Sequence, residues 1–428
     1  MKTIKIDPKI FISPPYLKCP KCHCENSFGV LMINDNQYIR RCKECWYDAT
    51  YLLPELNKKI IYIDQFAISN MMKVLNPQTK AYKKGTLDMF WLRLFERVDS
   101  LCKLQLIICP DSGFHTNESL LSPYFRPLKQ MYELLSNGTS FDDHETIKRC
   151  QLATHAENWI SGKADKPLNL DVHSVVYGKI NEWQDRFIVS VNMQYGTDWI
   201  EDLRRDREKL HKGLSRVFER WQSEKDKSFN DWFEKESGDF GSLTMKIYMC
   251  YVKRLDEIRT GTIKPTINDM LPSSTVLMVR DIQDIFEKAG VPDSDIWQKT
   301  FEYLSSPSLK EIPFIKISSM LYAALARKAA SGRKKLPSTG MANDIEIISV
   351  LLPYCDAMFI DKECHGYLKE RPLCNAIDFG TNIFSLTNKE DFLKYLNDIE
   401  NNTPKDHFDQ IEKIYGKTWR EPYLTLYK

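Results

Sequence analysis

No stretch of this sequence is apolar for long enough to cross a bilayer, and the opening run Met1-Lys2-Thr3-Ile4-Lys5-Ile6-Asp7 lacks the apolar centre of a secretory leader. A cytoplasmic chain with no membrane partner is the expectation. An excess of one charge is missing too. Sixty basic residues face 58 acidic ones, a net charge of +2, so the chain as a whole is no polyelectrolyte binder. Any contact with nucleic acid has to come from a local concentration of positive charge. There is no internal repeat and no low-complexity tract. A hydrophobic content of 43% with 28% charged residues excludes disordered and fibrous classes. With 428 residues there is room for roughly two to four domains, and the 12% of aromatic residues can fill large cores with rings to spare for stacking on bases.

Cysteine is what the first 45 residues do have: five of the twelve lie there, and the other seven are scattered. In a reducing compartment that clustering points to a metal rather than to disulfides. Cys19-Pro20-Lys21-Cys22 and Cys42-Lys43-Glu44-Cys45 are two C-x2-C knuckles. Each tight turn presents two thiolates to one ion, and two such turns close a tetrahedral site, so structural Zn2+ on Cys19, Cys22, Cys42 and Cys45 is expected. His23 and Cys24 read as spare. Arg40, Arg41, Lys43, Trp46 and Tyr47 mix charge with rings nearby. A docking module and a simple folding staple both fit that mixture.

The rest reads as an α/β chain with a long interruption. Residues 58–64 form a β-branched strand ending in an acid, 86–102 an amphipathic helix, and 104–109 a second strand stopped by Pro110. Strand, helix, strand predicts a parallel sheet. Strand-like runs become few between 125 and 310, a block read as an α-helical insertion. The α/β texture returns with helices over 315–330, 343–352 and 388–399 and strands over 357–361 and 383–386. The division expected is 1–56 zinc ribbon, 57–124 first part of the core, 125–310 insertion, and 311–428 second part with C-terminal helices.

Two acids, Asp64 and Asp361, end strands of one parallel sheet, and such ends share an edge. Asp344 opens the helix leading into the second of these strands, and Glu118 follows the 104–109 strand, with Asp111 its rival. Carboxylates gathered at one edge repel one another unless a cation neutralises them, and oxygen ligands select hard ions such as Mg2+ or Mn2+. Ile61-Tyr62-Ile63-Asp64, Ile107-Ile108-Cys109-Pro110-Asp111-Ser112 with Glu118, and the run from Asn343-Asp344 to Ile360-Asp361 together resemble the ordered motifs of PIN domains. The last strand and closing helix are echoed by residues 382–386 and Asp391-Phe392-Leu393. The block 125–310 departs from that family by its length.

The resemblance implies a PIN-like parallel-sheet core and a Mg2+- or Mn2+-dependent endonuclease hydrolysing phosphodiesters, RNA favoured over DNA, with Asp64, Glu118, Asp344 and Asp361 catalytic. Stress or phage defence, with the insertion gating a toxic nuclease, is the setting that this architecture suggests. Arg333, Lys334, Lys335, Ser112 and Asn117 are candidate phosphate and hydrogen-bond contacts. Nucleic acid, most simply RNA, is the expected partner, and a regulatory protein or a second copy of the chain is left open. Two further readings compete. Arg205 and His211 resemble the Arg/His pair of metal-independent HEPN ribonucleases, and a PIN-like edge without activity would make the chain an interaction scaffold. The basic residues of 204–212 alternate with Glu201, Asp202, Asp206 and Glu208 and read first as a salt-bridged exposed helix.

Overall fold

The computed structural model describes residues 7–164, 166–186, 195–266, 269 and 271–427. Residues 1–6, read above for a leader, lie outside them. No helix among the described residues is long and apolar enough to cross a membrane.

Four strands, β1 (Ser13–Leu17), β2 (Phe28–Asn34), β3 (Gln37–Cys42) and β4 (Asp48–Leu52), make an antiparallel sheet in sequence order. The expected β2–β3 hairpin is there. Asn34 pairs with Gln37, and Asp35 takes a left-handed φ of 52° that its short polar side chain tolerates. This sheet is not free-standing. Val30, Ile33 and Tyr38 are buried in the same cluster as the helices that follow.

The second sheet is parallel. It is built from β5 (Lys59–Ile63), then α1 (Gln65–Leu75), α2 (Phe90–Lys103), β6 (Ile107–Ile108) and α3 (Gly113–Leu120). A small antiparallel pair, β7 (Ser140–Phe141) and β8 (Val176–Tyr177), brackets α4 (His144–Ile160). Two long helices follow, α5 (Thr197–Ser223) and α6 (Phe229–Arg259), and the chain returns to the sheet through α7 (Pro313–Ala330), α8 (Met341–Leu351), β9 (Ala357–Phe359), α9 (Lys362–Lys369), β10 (Asn382–Phe384), α10 (Lys389–Asn401) and α11 (Lys405–Tyr415). The strand order is β10-β9-β5-β6. β5 pairs with β9 in the register Ile63 to Phe359, so residues that the insertion separates in sequence are neighbours.

Both faces of β5 are covered, which is why it reads as a continuous apolar run. Ile60 and Tyr62 enter one core with α5, α6 and α7, while Ile61 and Ile63 enter the other with α1, α2 and α10. The second strand is shorter than the apolar run 104–109, because Gln105 takes a φ of 59° and its side-chain amide donates to the Cys102 carbonyl at 3.1 Å. The insertion is joined to this core by burial, not by its ion pairs. Leu214, Phe218 and Trp221 of α5 are buried, each contributing roughly 2–3 kcal/mol. The outward pairs Arg205–Asp202 and Lys209–Asp206 are exposed, and such pairs contribute at most about 1 kcal/mol each.

Candidate functional site

The sulfurs of Cys19, Cys22, Cys42 and Cys45 all lie within 4.8 Å of one another, with Cys19 to Cys45 at 3.6 Å and Cys22 to Cys42 at 3.7 Å. Four sulfurs held tetrahedrally about 2.3 Å from a zinc ion would be about 3.8 Å apart, so the donors fit such an ion. The two knuckles repeat one geometry. Lys21 and Cys22 amides donate to Cys19 Sγ at 3.4 and 3.5 Å, and Glu44 and Cys45 amides to Cys42 Sγ at 3.3 and 3.5 Å. The residue after each knuckle, His23 or Trp46, takes a left-handed φ of 61° or 60°, which makes both turn residues rather than ligands. Burial opposes ionisation of Cys42, but the Cys45 amide, the Ser27 hydroxyl and the Glu44 amide outweigh it and bring the thiol down to about 6. Cys24 is exposed and stands outside the four. This group could hold a metal such as zinc.

The acids are placed by the parallel sheet. Asp64 follows β5, and its amide donates to the Phe359 carbonyl at the end of β9 (3.0 Å). Asp361 lies two residues beyond that strand. Both cap helices: Asp64 Oδ1 accepts from the Phe66 amide at 3.0 Å, and Asp361 Oδ1 from the Glu363 amide at 2.6 Å. Glu118 comes from α3 and Asp344 from the first turn of α8. Under this edge His115 is locked. Its Nε2 lies 3.0 Å from the Ile63 carbonyl and its Nδ1 3.1 Å from Ser112 Oγ, and its ring stacks between Tyr62 and Tyr132. His115 therefore ties the end of β5 to the start of α3.

These carboxylates feel one another. Burial pushes Asp344 up to about 8, and the charges of Asp64, Glu118 and Asp361 add to it, opposed by Arg207. Burial likewise raises Asp64 to about 7, with Glu118 next in effect. Glu118 is raised by burial against the pull of Arg207, His115 and a hydrogen bond from Asn343. Asp111 faces the start of α3. Its Oδ1 accepts from the Ser112 amide at 2.7 Å and lies 3.4 Å from His115 Nδ1. The acids are neighbours, yet no three of them bring oxygens within 4.8 Å of one another. The other group of ligand atoms within 4.8 Å among the described residues is His144, Glu145 and Glu346, and both of its carboxylates are already paired with Lys148.

The raised carboxylates set a pH dependence. An unfolded chain ionises Asp near pH 4, whereas the fold delays Asp64 to about 7 and Asp344 to about 8. Between these limits the folded state holds protons that the unfolded state has released, so stability falls as pH rises from about 4 to about 8. In divalent-free buffer the melting temperature should drop between pH 5.5 and pH 8, and Asp344→Asn should flatten that slope. Identical slopes in the two proteins would contradict the assignment.

The basic and polar candidates divide. Arg333 is engaged by Glu363 and by Tyr367 Oη at 2.7 Å, so its guanidinium is spent within the fold, while Lys334 and Lys335 are exposed. Their loop is pinned rather than loose: Gln222 donates to the Arg333 carbonyl at 2.7 Å, and His211 Nε2 lies 3.3 Å from the Pro337 carbonyl. Ser112 is the buried cap of α3 and lies against His115. Asn117 stands beside Glu118 at a cavity. The proposed Arg205/His211 pair is split, with Arg205 on the outer face against Asp202 and His211 turned to the loop.

Sequence reasoning grouped Arg207 with the other basic residues of 204–212, a salt-bridged helix with nucleic-acid contact as its alternative, and missed its place beside the acids. A Cβ added to Gly340 would lie 3.7 Å both from an Arg207 guanidinium nitrogen and from Asp344 Oδ2, so the insertion delivers a cation to the acidic edge. The signal was present in the spacing. Leu203, Arg207, His211, Leu214, Phe218 and Trp221 form one inward stripe, so Arg207 occupies a position where an apolar residue is the default. Compared with protein-family models, curated proteins and solved structures, the chain matches none.

Proposed function

We propose that this chain is a PIN-like, Mg2+- or Mn2+-dependent endonuclease that hydrolyses phosphodiester bonds, RNA favoured over DNA, with a structural zinc in its N-terminal ribbon. One observation carries the reading: Asp64, Glu118, Asp344 and Asp361 come from distant parts of the sequence to one edge of a parallel sheet, where burial holds Asp64, Glu118 and Asp344 against ionisation and neighbouring carboxylates add to it at Asp64 and Asp344. A fold gains nothing in stability from such an arrangement, whereas a cation site requires it. A bound divalent cation supplies Lewis acidity and an easily deprotonated water.

The chain's own residues do the rest. Asp64 and Asp361 are fixed by their capping bonds, which leave one carboxylate oxygen of each outside the cap. Asn343 holds Glu118, and His115 holds the strand end against α3. Arg207 lies where a phosphate brought to the acids needs a positive partner.

The test is an assay on RNA, single-stranded DNA and duplex DNA with Mn2+ or Mg2+. Cleavage that needs the added ion and stops with EDTA is expected. Cleavage indifferent to EDTA would favour a metal-independent ribonuclease, and absence of cleavage under all conditions would favour a scaffold.

A further inference from the structure

A cavity of about 470 Å³ lies where the insertion meets the core, between α3, α5, α7 and α8. Its walls include Phe114, Asn117, Leu203, Arg207 and Tyr322, and Glu118 belongs both to it and to the acidic edge. The geometry points to a nucleobase pocket: an unpaired base of the substrate strand enters this cavity while a phosphate of the same nucleotide sits at Arg207. The assignment rests on the nuclease reading for the reaction but makes a separate claim about binding.

Three features support it. The volume falls in the range of about 300–1,000 Å³ typical of small-molecule sites, and a duplex keeps its bases paired and stacked, so that only an unpaired or extruded base can enter a cavity. The lining pairs apolar surfaces with polar edges, and of its acids Glu346 is paired with Lys148 and Asp206 with Lys209. Phe114, steadied against the His144 ring at a centroid distance of 4.9 Å, and Leu203 offer faces to a base. Asn117 offers a donor and an acceptor in one carboxamide. Finally, Arg207 lines the cavity and also flanks Asp344 through Gly340, which links the place for a base to the place for a phosphate. A mere packing gap between two units would not be expected to join an anion-binding group to the acidic edge in this way.

The insertion thereby contributes directly to binding, because α5 supplies Leu203 for the base and Arg207 for the phosphate. The 428-residue chain is titrated in divalent-free buffer with a labelled single-stranded oligonucleotide and with its duplex, and Mn2+ binding is measured separately. Leu203→Trp fills the cavity from α5, and Asn117→Ala removes the carboxamide. The single strand should bind about tenfold tighter than the duplex, and each variant should lose about tenfold in single-strand affinity, with melting temperature and Mn2+ binding unchanged. Equal affinity for single strand and duplex, or wild-type binding by Leu203→Trp, would overturn the pocket. Loss of the Mn2+ result alone, with the variant effects intact, would remove the nuclease reading and leave the pocket standing.

Discussion

Asp64→Asn and Asp344→Asn should each lower metal-dependent cleavage by about 10³-fold or more, a loss of about 4 kcal/mol in transition-state stabilisation, while the folded protein becomes no less stable. The two halves of this expectation come from the same geometry. Asp64 caps α1 through Oδ1 and the Phe66 amide, and asparagine is as good a cap as aspartate, so the helix start survives. The negative charge that burial, and after it Glu118 and Asp361, oppose is gone, so the metal-free fold is relieved of a cost. The same holds at position 344, where burial and three neighbouring acids act against the carboxylate. A gain in melting temperature above pH 7 together with a loss of turnover is the signature of a group kept for chemistry rather than for folding. Thermal melts and single-turnover cleavage on the same preparations measure both. Variants that lose stability and keep activity would mean that these acids serve the fold.

The second large effect concerns the ribbon. Cys42→Ser should abolish stoichiometric zinc, measured by elemental analysis, and should lower stability by about 3 kcal/mol or more, a shift of roughly 5 °C or more in melting temperature. The effect should spread beyond the knuckles because the ribbon is fused to the rest. Arg40, two residues before Cys42, is buried, and its guanidinium donates to the Pro15 carbonyl at 2.8 Å, the Phe28 carbonyl at 3.1 Å and the Lys413 carbonyl of α11 at 2.7 Å. Val30, Ile33 and Tyr38 belong to the core shared with α1 and α2. Releasing the sulfurs therefore loosens a wall of the α/β unit. Cleavage by the Cys42→Ser protein, measured below its melting temperature, separates the two roles of the ribbon. Retained turnover marks a staple, and turnover lost through weaker substrate binding marks a docking module. Wild-type stability with no zinc bound would show that the four cysteines hold nothing of structural weight.

What could be seen in the sequence was whatever local physics forces. Paired cysteines at a two-residue spacing have one geometry, and the four sulfurs lie together as expected. Apolar runs ending in Asp64 and Asp361 have the form of buried parallel strands, and β5 and β9 are neighbours. What could not be seen depends on long-range packing. The run 104–109 looks like one strand, but the left-handed Gln105 breaks it, and nothing in the side chain announces that φ. The block 125–310 looks like a separate helical unit because its charges are dense. In the fold its buried stripe completes the core around Ile60 and Tyr62. Arg207 was averaged into the charged surface of α5 although its register places it inward. Arg333 looked free because its partners, Glu363 and Tyr367, lie thirty and more residues on.

Binding of a divalent cation at the acidic edge can be seen by diffraction from crystals of this chain soaked in Mn2+. Anomalous density among the side chains of Asp64, Glu118, Asp344 and Asp361, absent from Asp344→Asn crystals grown the same way, is the predicted result. Millimolar Mn2+ leaving that edge without density, in crystals where the cysteine site is filled with metal, would contradict it.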